Sequence, residues 1–251
     1  ITDGTVTEKR SAIGFFGYKC PSEWALPQID LIGGVLRDTG EHPKVRSVAA
    51  YAICWHGQPA QKFYPDMLKL ILEEEPDDPF QLIDQEVGKS LNALAPDPFA
   101  AGLVDDKDLF YKAALKLADN PRQEARAYAM KMLRSMPEED FHRVADTVKE
   151  VVQNLNPDYQ SYHNPQDGVQ DGALLLADLG VEEGMEWSWA MLDAPDGKGG
   201  FKARAILTIL KGYGPAAKPY LEKIQNDPKH SSFLMSGRWK KMYDALVQAV
   251  E

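Results

Sequence analysis

Two stretches of the chain combine residue types that could do chemistry. The first is Tyr51-Ala52-Ile53-Cys54-Trp55-His56-Gly57, in which an indole beside an imidazole could stack on a ligand and hydrogen-bond to it. Tyr51, Trp55 and His56 are therefore candidate binding residues. The plainer reading is that Trp55 packs on a neighbouring helix and His56 closes its own helix before Gly57. The second stretch runs from Asn156 to Gly168 and carries Tyr159, Tyr162, His163 and Asn164. Long structured loops on a rigid scaffold often hold binding groups, so these four residues are the leading candidates of the chain. The alternative is that the tyrosines cover the edges of adjacent helices.

Metal and nucleophilic chemistry find no local support. His42, His56, His142, His163 and His230 include no i, i+4 pair and no His-Glu dipeptide, so neither a metal nor a cofactor is expected. Asp193 to Gly200 looks like a calcium or phosphate loop but lacks the twelve-residue ligand order and the P-loop spacing, and reads as a turn. Cys20 and Cys54 have no Cys-x-x-Cys partner and there is no Gly-x-Ser-x-Gly elbow, so no catalytic residue is assigned. Whether the two cysteines pair is left open, since the compartment is unknown.

Composition narrows the partners. The 251 residues carry 28 Lys and Arg against 38 Asp and Glu, a net charge of −10. Such a balance disfavours nucleic acid, whose binding draws on clustered cations that release counterions. The longest apolar run, Val48 to Trp55, is far too short to span a bilayer, so no membrane insertion is expected. Acidic clusters at Glu73 to Glu75 with Asp77 and Asp78, at Asp105 and Asp106, and at Glu138 to Asp140 read as solvated helix starts and turns. The chain begins at Ile1 with no basic and apolar leader pattern, which suggests a processed exported protein or an excised piece of a longer one, with an upstream domain as a further expectation.

The elements that position these residues follow from a repeat. Pro27, Pro65 and Pro219 are each followed by apolar residues two and five positions later: Ile29 and Ile32, Met67 and Leu70, Leu221 and Ile224. Proline is tolerated only in the first turn of a helix or at a kink, so the shared offset marks the first helix of three pairs. A second helix follows, built on an apolar, a basic and a small residue: Val45-Arg46 with Ala49, Ala125-Arg126 with Ala129, Phe201-Lys202 with Ala205. Weaker copies lie at Glu86 with Ser90, Val169-Gln170 with Ala173, and Trp239-Lys240. The anchors at 45, 86, 125, 169, 201 and 239 recur about every 40 residues, the spacing of two-helix repeats, with no alternating strand pattern between them.

Local signals refine the pattern. Ser135 with Glu138 reads as a capping box opening one helix through Phe141, Val144, Ala145, Val148, Val152 and Leu155. Gly180, Gly212 and Gly214 read as helix ends. Residues 1 to 20 show no helical period and read as an N-terminal arm packed on the first helices; residues 21 to 251 read as the repeat domain.

On the kinked helices at Pro27, Pro65 and Pro219 and the second helices at Val45-Arg46, Ala125-Arg126 and Phe201-Lys202, the chain resembles the HEAT-repeat (armadillo-like) family over roughly 230 residues. The resemblance implies an all-α fold, a right-handed α-α superhelix (solenoid) of about six HEAT-like helix pairs. It also implies that the second helices line a concave side and that the usual employment is binding another macromolecule. Three of the six units lack the proline, which blurs individual boundaries. The leading expectation is a non-enzymatic scaffold or protein-interaction module holding a protein or peptide partner. The alternative is an enzyme or small-molecule-binding domain with a site in the concave groove near Trp55 and His56. HEAT-like DNA glycosylases host chemistry on a basic concave surface, which the charge here opposes.

Overall fold

In the computed structural model Pro65 and Pro219 are each the second residue of an α-helix that follows a 3-10 turn, and Pro27 lies in the 3-10 turn that leads into the helix from Ile29. There the missing N–H costs nothing and the fixed φ suits the first turn. The apolar residues at the two shared offsets, Ile29 and Ile32, Met67 and Leu70, Leu221 and Ile224, are all buried. The structure describes residues 3–18, 20–73, 82–154, 166–193, 199–235 and 237–251. Among them there are α-helices and 3-10 turns and no strands, and no helix long and apolar enough to cross a membrane.

The described residues pack as two units, 1–137 and 138–251. The first contains α1 (Val6–Tyr18), α2 (Ser22–Ala25), α3 (Ile29–Arg37), α4 (Pro43–Cys54), α5 (Tyr64–Leu72), α6 (Leu82–Leu94), α7 (Lys107–Ala118) and α8 (Gln123–Arg134). The second contains α9 (Ala145–Asn154), α10 (Gln166–Asp178), α11 (Glu183–Asp193), α12 (Gly199–Gly212), α13 (Lys218–Asn226), α14 (Pro228–Leu234) and α15 (Lys240–Val250). In the first unit α3 pairs with α4, α5 with α6 and α7 with α8, while α4, α6 and α8 contact one another in succession and α5 contacts α7. In the second, α9 pairs with α10 and α11 with α12, and α12 packs between α10 and α15.

The basic anchors hold the pairs. Arg46 and Arg126 are each the fourth residue of their helices. Arg46 Nε donates to the Leu36 carbonyl at the end of α3 at 2.8 Å, and Arg126 Nη1 donates to the Asn120 carbonyl just past α7 at 3.0 Å. The last carbonyls of a helix lack intrahelical donors and carry partial negative charge, so a guanidinium from the next helix satisfies both needs. Arg46 is 4% exposed and extends its other nitrogens to Glu73, just past α5, with Nη2 at 2.9 Å from Oε1. Thus Glu73, read from the sequence as part of a solvated cluster, is the counter-charge of a buried arginine; residues 74–78 of that cluster lie outside the described residues. Ser47 Oγ donates to Glu86 Oε2 at 2.9 Å, joining α4 to α6.

Two local expectations are corrected. Most of the expected arm is the helix α1, which packs on α4. Its period is obscured because Gly14 and Gly17 face α4; a Cβ at Gly17 would lie 2.9 Å from Ala52 Cα, so glycine is what permits the approach. Ser135 does not open a helix: it closes α8, its hydroxyl donating to the Met132 carbonyl at 2.7 Å. Pro137 separates it from a 3-10 turn at Glu138–Arg143, and α9 follows that turn. Of the predicted end glycines, Gly180 and Gly214 take positive φ, +69° and +55°, and the Val181 N–H closes back on Leu176 at 2.9 Å. Gly212 does end α12, as its last residue packed against Leu174, but without a positive φ.

This packing sets the cost or gain of three substitutions. A Cβ at Gly33 would sit 2.0 Å from Cε1 of the fully buried Phe63, so Gly33→Ala should lose about 1–3 kcal/mol in urea unfolding. Gly34, with open space around it, should gain about 0.5–1 kcal/mol on the same change. Arg46→Ala, which strands the Leu36 carbonyl and a part-buried Glu73, should cost about 2–3 kcal/mol; a loss below 1 kcal/mol would contradict the role given to this residue.

Candidate functional site

Tyr51, Trp55 and His56 lie at the C-terminal end of α4, with Trp55 as its cap residue. Tyr51 and Trp55 are one helical turn apart, and their rings meet edge to face with centroids 5.8 Å apart at 80°. The Lys89 ammonium, from α6, lies 5.3 Å from the Tyr51 ring centroid. Trp55 is 50% exposed, while its indole edge reaches the surface of α1 beside Gly17. This aromatic pair with an adjacent cation could stack a flat or apolar group and contact an acceptor on it.

His56 serves α1. Its Nε2 lies 3.2 Å from the Phe16 carbonyl, and its Nδ1 is buried without a hydrogen-bond partner. With Nε2 as the donor to that carbonyl, the imidazole fixes the end of α1 against the end of α4. Gly57, at φ +59°, then turns the chain into the next 3-10 turn. The structure therefore brings the three predicted residues together, with the Trp55 ring half-exposed, the Tyr51 hydroxyl end buried and the imidazole turned towards α1. Tyr159, Tyr162, His163 and Asn164 lie outside the described residues.

Cys20 and Cys54 are free thiols. Burial pushes the Cys54 thiol from its ordinary 9.0 up to about 12, with the Ser90 hydroxyl easing the shift only slightly. Such a thiol is a packing group and not a nucleophile at neutral pH. Among the described residues no group of three or more His, Cys, Asp or Glu side chains is gathered to hold a metal ion.

The sequence reading missed a second aromatic group. Trp189 of α11, Tyr220 and Lys223 of α13 and His230 of α14 converge in the second unit. Their spacing carries no motif because they come from three helices; the one hint was Tyr220 and Lys223 at i, i+3, which places them on one face.

Since Cys54 stays protonated in the fold until well above pH 9, native stability should fall as the pH rises from about 9 towards 12, the unfolded thiol ionising first. Iodoacetamide at pH 8 should accordingly modify the partly exposed Cys20 while sparing Cys54, read by peptide mass spectrometry. Equal modification of both thiols in folded protein would contradict the burial.

No protein-family model matches the chain, and no curated protein matches it. Solved structures do match in fold. One is the crystal structure of an engineered protein from a structural genomics consortium, 13% identical, covering 97% of this chain and 95% of its own, with a TM-score of 0.53. At that identity the likeness speaks to the helical fold alone.

Proposed function

We propose that the chain is a non-enzymatic HEAT-like repeat scaffold, a right-handed solenoid of helix pairs, that holds a protein or peptide partner. The observation that carries this reading is where large apolar side chains are left in water. Among the described residues Phe15, Trp24, Leu26, Leu31 and Trp55 are exposed in the first unit, with Trp24 at 65% and Trp55 at 50%, against Met235 alone in the second. Aromatic residues exposed on a well-packed helical scaffold are the usual anchors of macromolecular interfaces.

Two parts of this surface have distinct make-up. Trp24 and Leu31, seven residues apart along α2 and α3, project from the same side of that helical stretch. Exposed acidic residues flank them at Glu23 and Asp38, while the Asp30 carboxylate is paired with Lys62. Trp55, with Tyr51 and Lys89 beside it, marks the end of the second helix α4, which in a HEAT-like arrangement belongs to the concave side. The acidic flanks favour a partner with a basic rim around an apolar anchor, and predict weaker binding at high salt.

The test is affinity capture from the native lysate with the full chain as bait. The wild type should retain a specific partner, and Trp24→Ser and Trp55→Ser should reduce its recovery by about tenfold or more, the scale expected of buried aromatic anchors. Unchanged recovery by both variants, with circular dichroism showing that they fold, would overturn the assignment, as would capture of nothing above background.

A further inference from the structure

The Lys223 ammonium is placed over two aromatic faces at once. It lies 4.5 Å from the Tyr220 ring centroid and 5.4 Å from that of Trp189. The two rings, from different helices, have centroids 6.2 Å apart and are inclined at 52°, so they form two walls of an open corner. The back of that corner is fixed: Tyr220 is 8% and His230 3% exposed, and the His230 ring meets Trp189 edge to face at 5.6 Å. Asp227, which caps α14 through its bond to the Lys229 N–H at 2.8 Å, lies 3.5 Å from His230 Nε2. Trp189 is part-buried and Lys223 is exposed, so the corner opens to solvent.

Charge favours a cation there. Burial, with Glu186 in the first turn of α11 and Glu182 just before that helix adding to the effect, raises the Tyr220 hydroxyl above its ordinary pKa. The negative faces of the two rings thus favour a cation in the corner, and the Lys223 ammonium is the group that rests on them. Lys223 sits three residues after Tyr220 on the same helix and is a tethered, exposed group. Its primary ammonium is compact and strongly hydrated, so it surrenders much solvation in leaving water. An alkylated ammonium spreads its charge over methyl groups, loses less hydration, and matches an aromatic corner better.

We infer that Trp189 and Tyr220 form a binding site for a methylated ammonium group, which Lys223 occupies in the free chain and vacates when the ligand enters. The shared chemistry is a quaternary alkylammonium, carried by a small molecule of the choline type or by a trimethylated lysine side chain. This site lies in the second unit and does not depend on the apolar surface of the first.

The experiment is a titration of the full ¹⁵N-labelled chain with tetramethylammonium chloride, following the Trp189 indole N–H, which is assigned by its disappearance in Trp189→Phe. Sodium chloride at equal ionic strength is the control. The expected result is a saturable shift with tetramethylammonium and none with sodium. Lys223→Met should tighten binding by about two- to fivefold, because the competing ammonium is gone and an exposed cation–π contact is of that size. Trp189→Leu should abolish binding with the helical dichroism unchanged. Parallel arms with choline and with acetyl-trimethyllysine-amide distinguish the sources, the tighter binder naming the ligand class. No saturable shift in the wild type and in Lys223→Met overturns the inference, as does an equal shift with sodium. Should Trp189→Leu fail to fold, the Lys223→Met comparison decides alone.

Discussion

The first unit depends on a guanidinium placed at the unfavourable end of one helix and the favourable end of another. Arg46 stands in the opening turns of α4, where the macrodipole opposes a cation. The same group reaches the carbonyl end of α3, where that dipole welcomes it and a backbone acceptor needs a donor. Its remaining nitrogens find Glu73 past α5, so one side chain ties together three consecutive helices. A buried arginine with fewer partners would be a net cost. Arg126 makes a weaker bridge between α7 and α8: its Nη1 donates to the Asn120 and Pro121 carbonyls, while its Nε is buried without a hydrogen-bond partner. The repeated basic residue is thus a structural staple, and α4, with its exposed aromatic end, is held in place by it.

Close approach between helices is the second constraint, and it explains which aromatic rings lie inside and which outside. Phe63 is wholly buried because Gly33 leaves room for its ring against α3. Arg37 then covers it, its guanidinium carbon 4.7 Å from the ring centroid. Gly17 likewise lets α1 lie so near α4 that only one edge of Trp55 is covered. A larger residue at that position would push α1 away and change the exposed area of Trp55 along with the fold. Packing and candidate surface are therefore coupled through a glycine.

Lys89 and Lys223 both approach aromatic rings, and they differ in what surrounds them. Lys89 meets one tyrosine whose other neighbour is the half-exposed Trp55. Lys223 meets two rings from separate helices, backed by a buried histidine. The first arrangement suits a flat surface contact, the second a cation set in an open two-walled corner. The difference arises from the number of helices that converge, which spacing along the chain does not express.

Much of the helical framework was legible from residue types because it rests on local rules. The proline offsets marked helix starts, and the apolar residues two and five positions on are buried because helical geometry puts them on one face. The six anchor segments lie in helices or in a 3-10 turn leading into one. Local rules failed where a distant contact outweighed them. The glycines of α1 hid a helix stabilised by α4, and Ser135 followed the end of one helix instead of the start of the next. Sequence alone thus determined the helical class and the start of the three proline-marked helices, since proline geometry and periodicity act within a few residues. Only the tertiary structure decided that Arg46 meets Glu73, that His56 turns inward while Trp55 turns out, and that Trp189, Tyr220 and Lys223 share one corner. Those arrangements depend on distances between helices, and packing sets such distances.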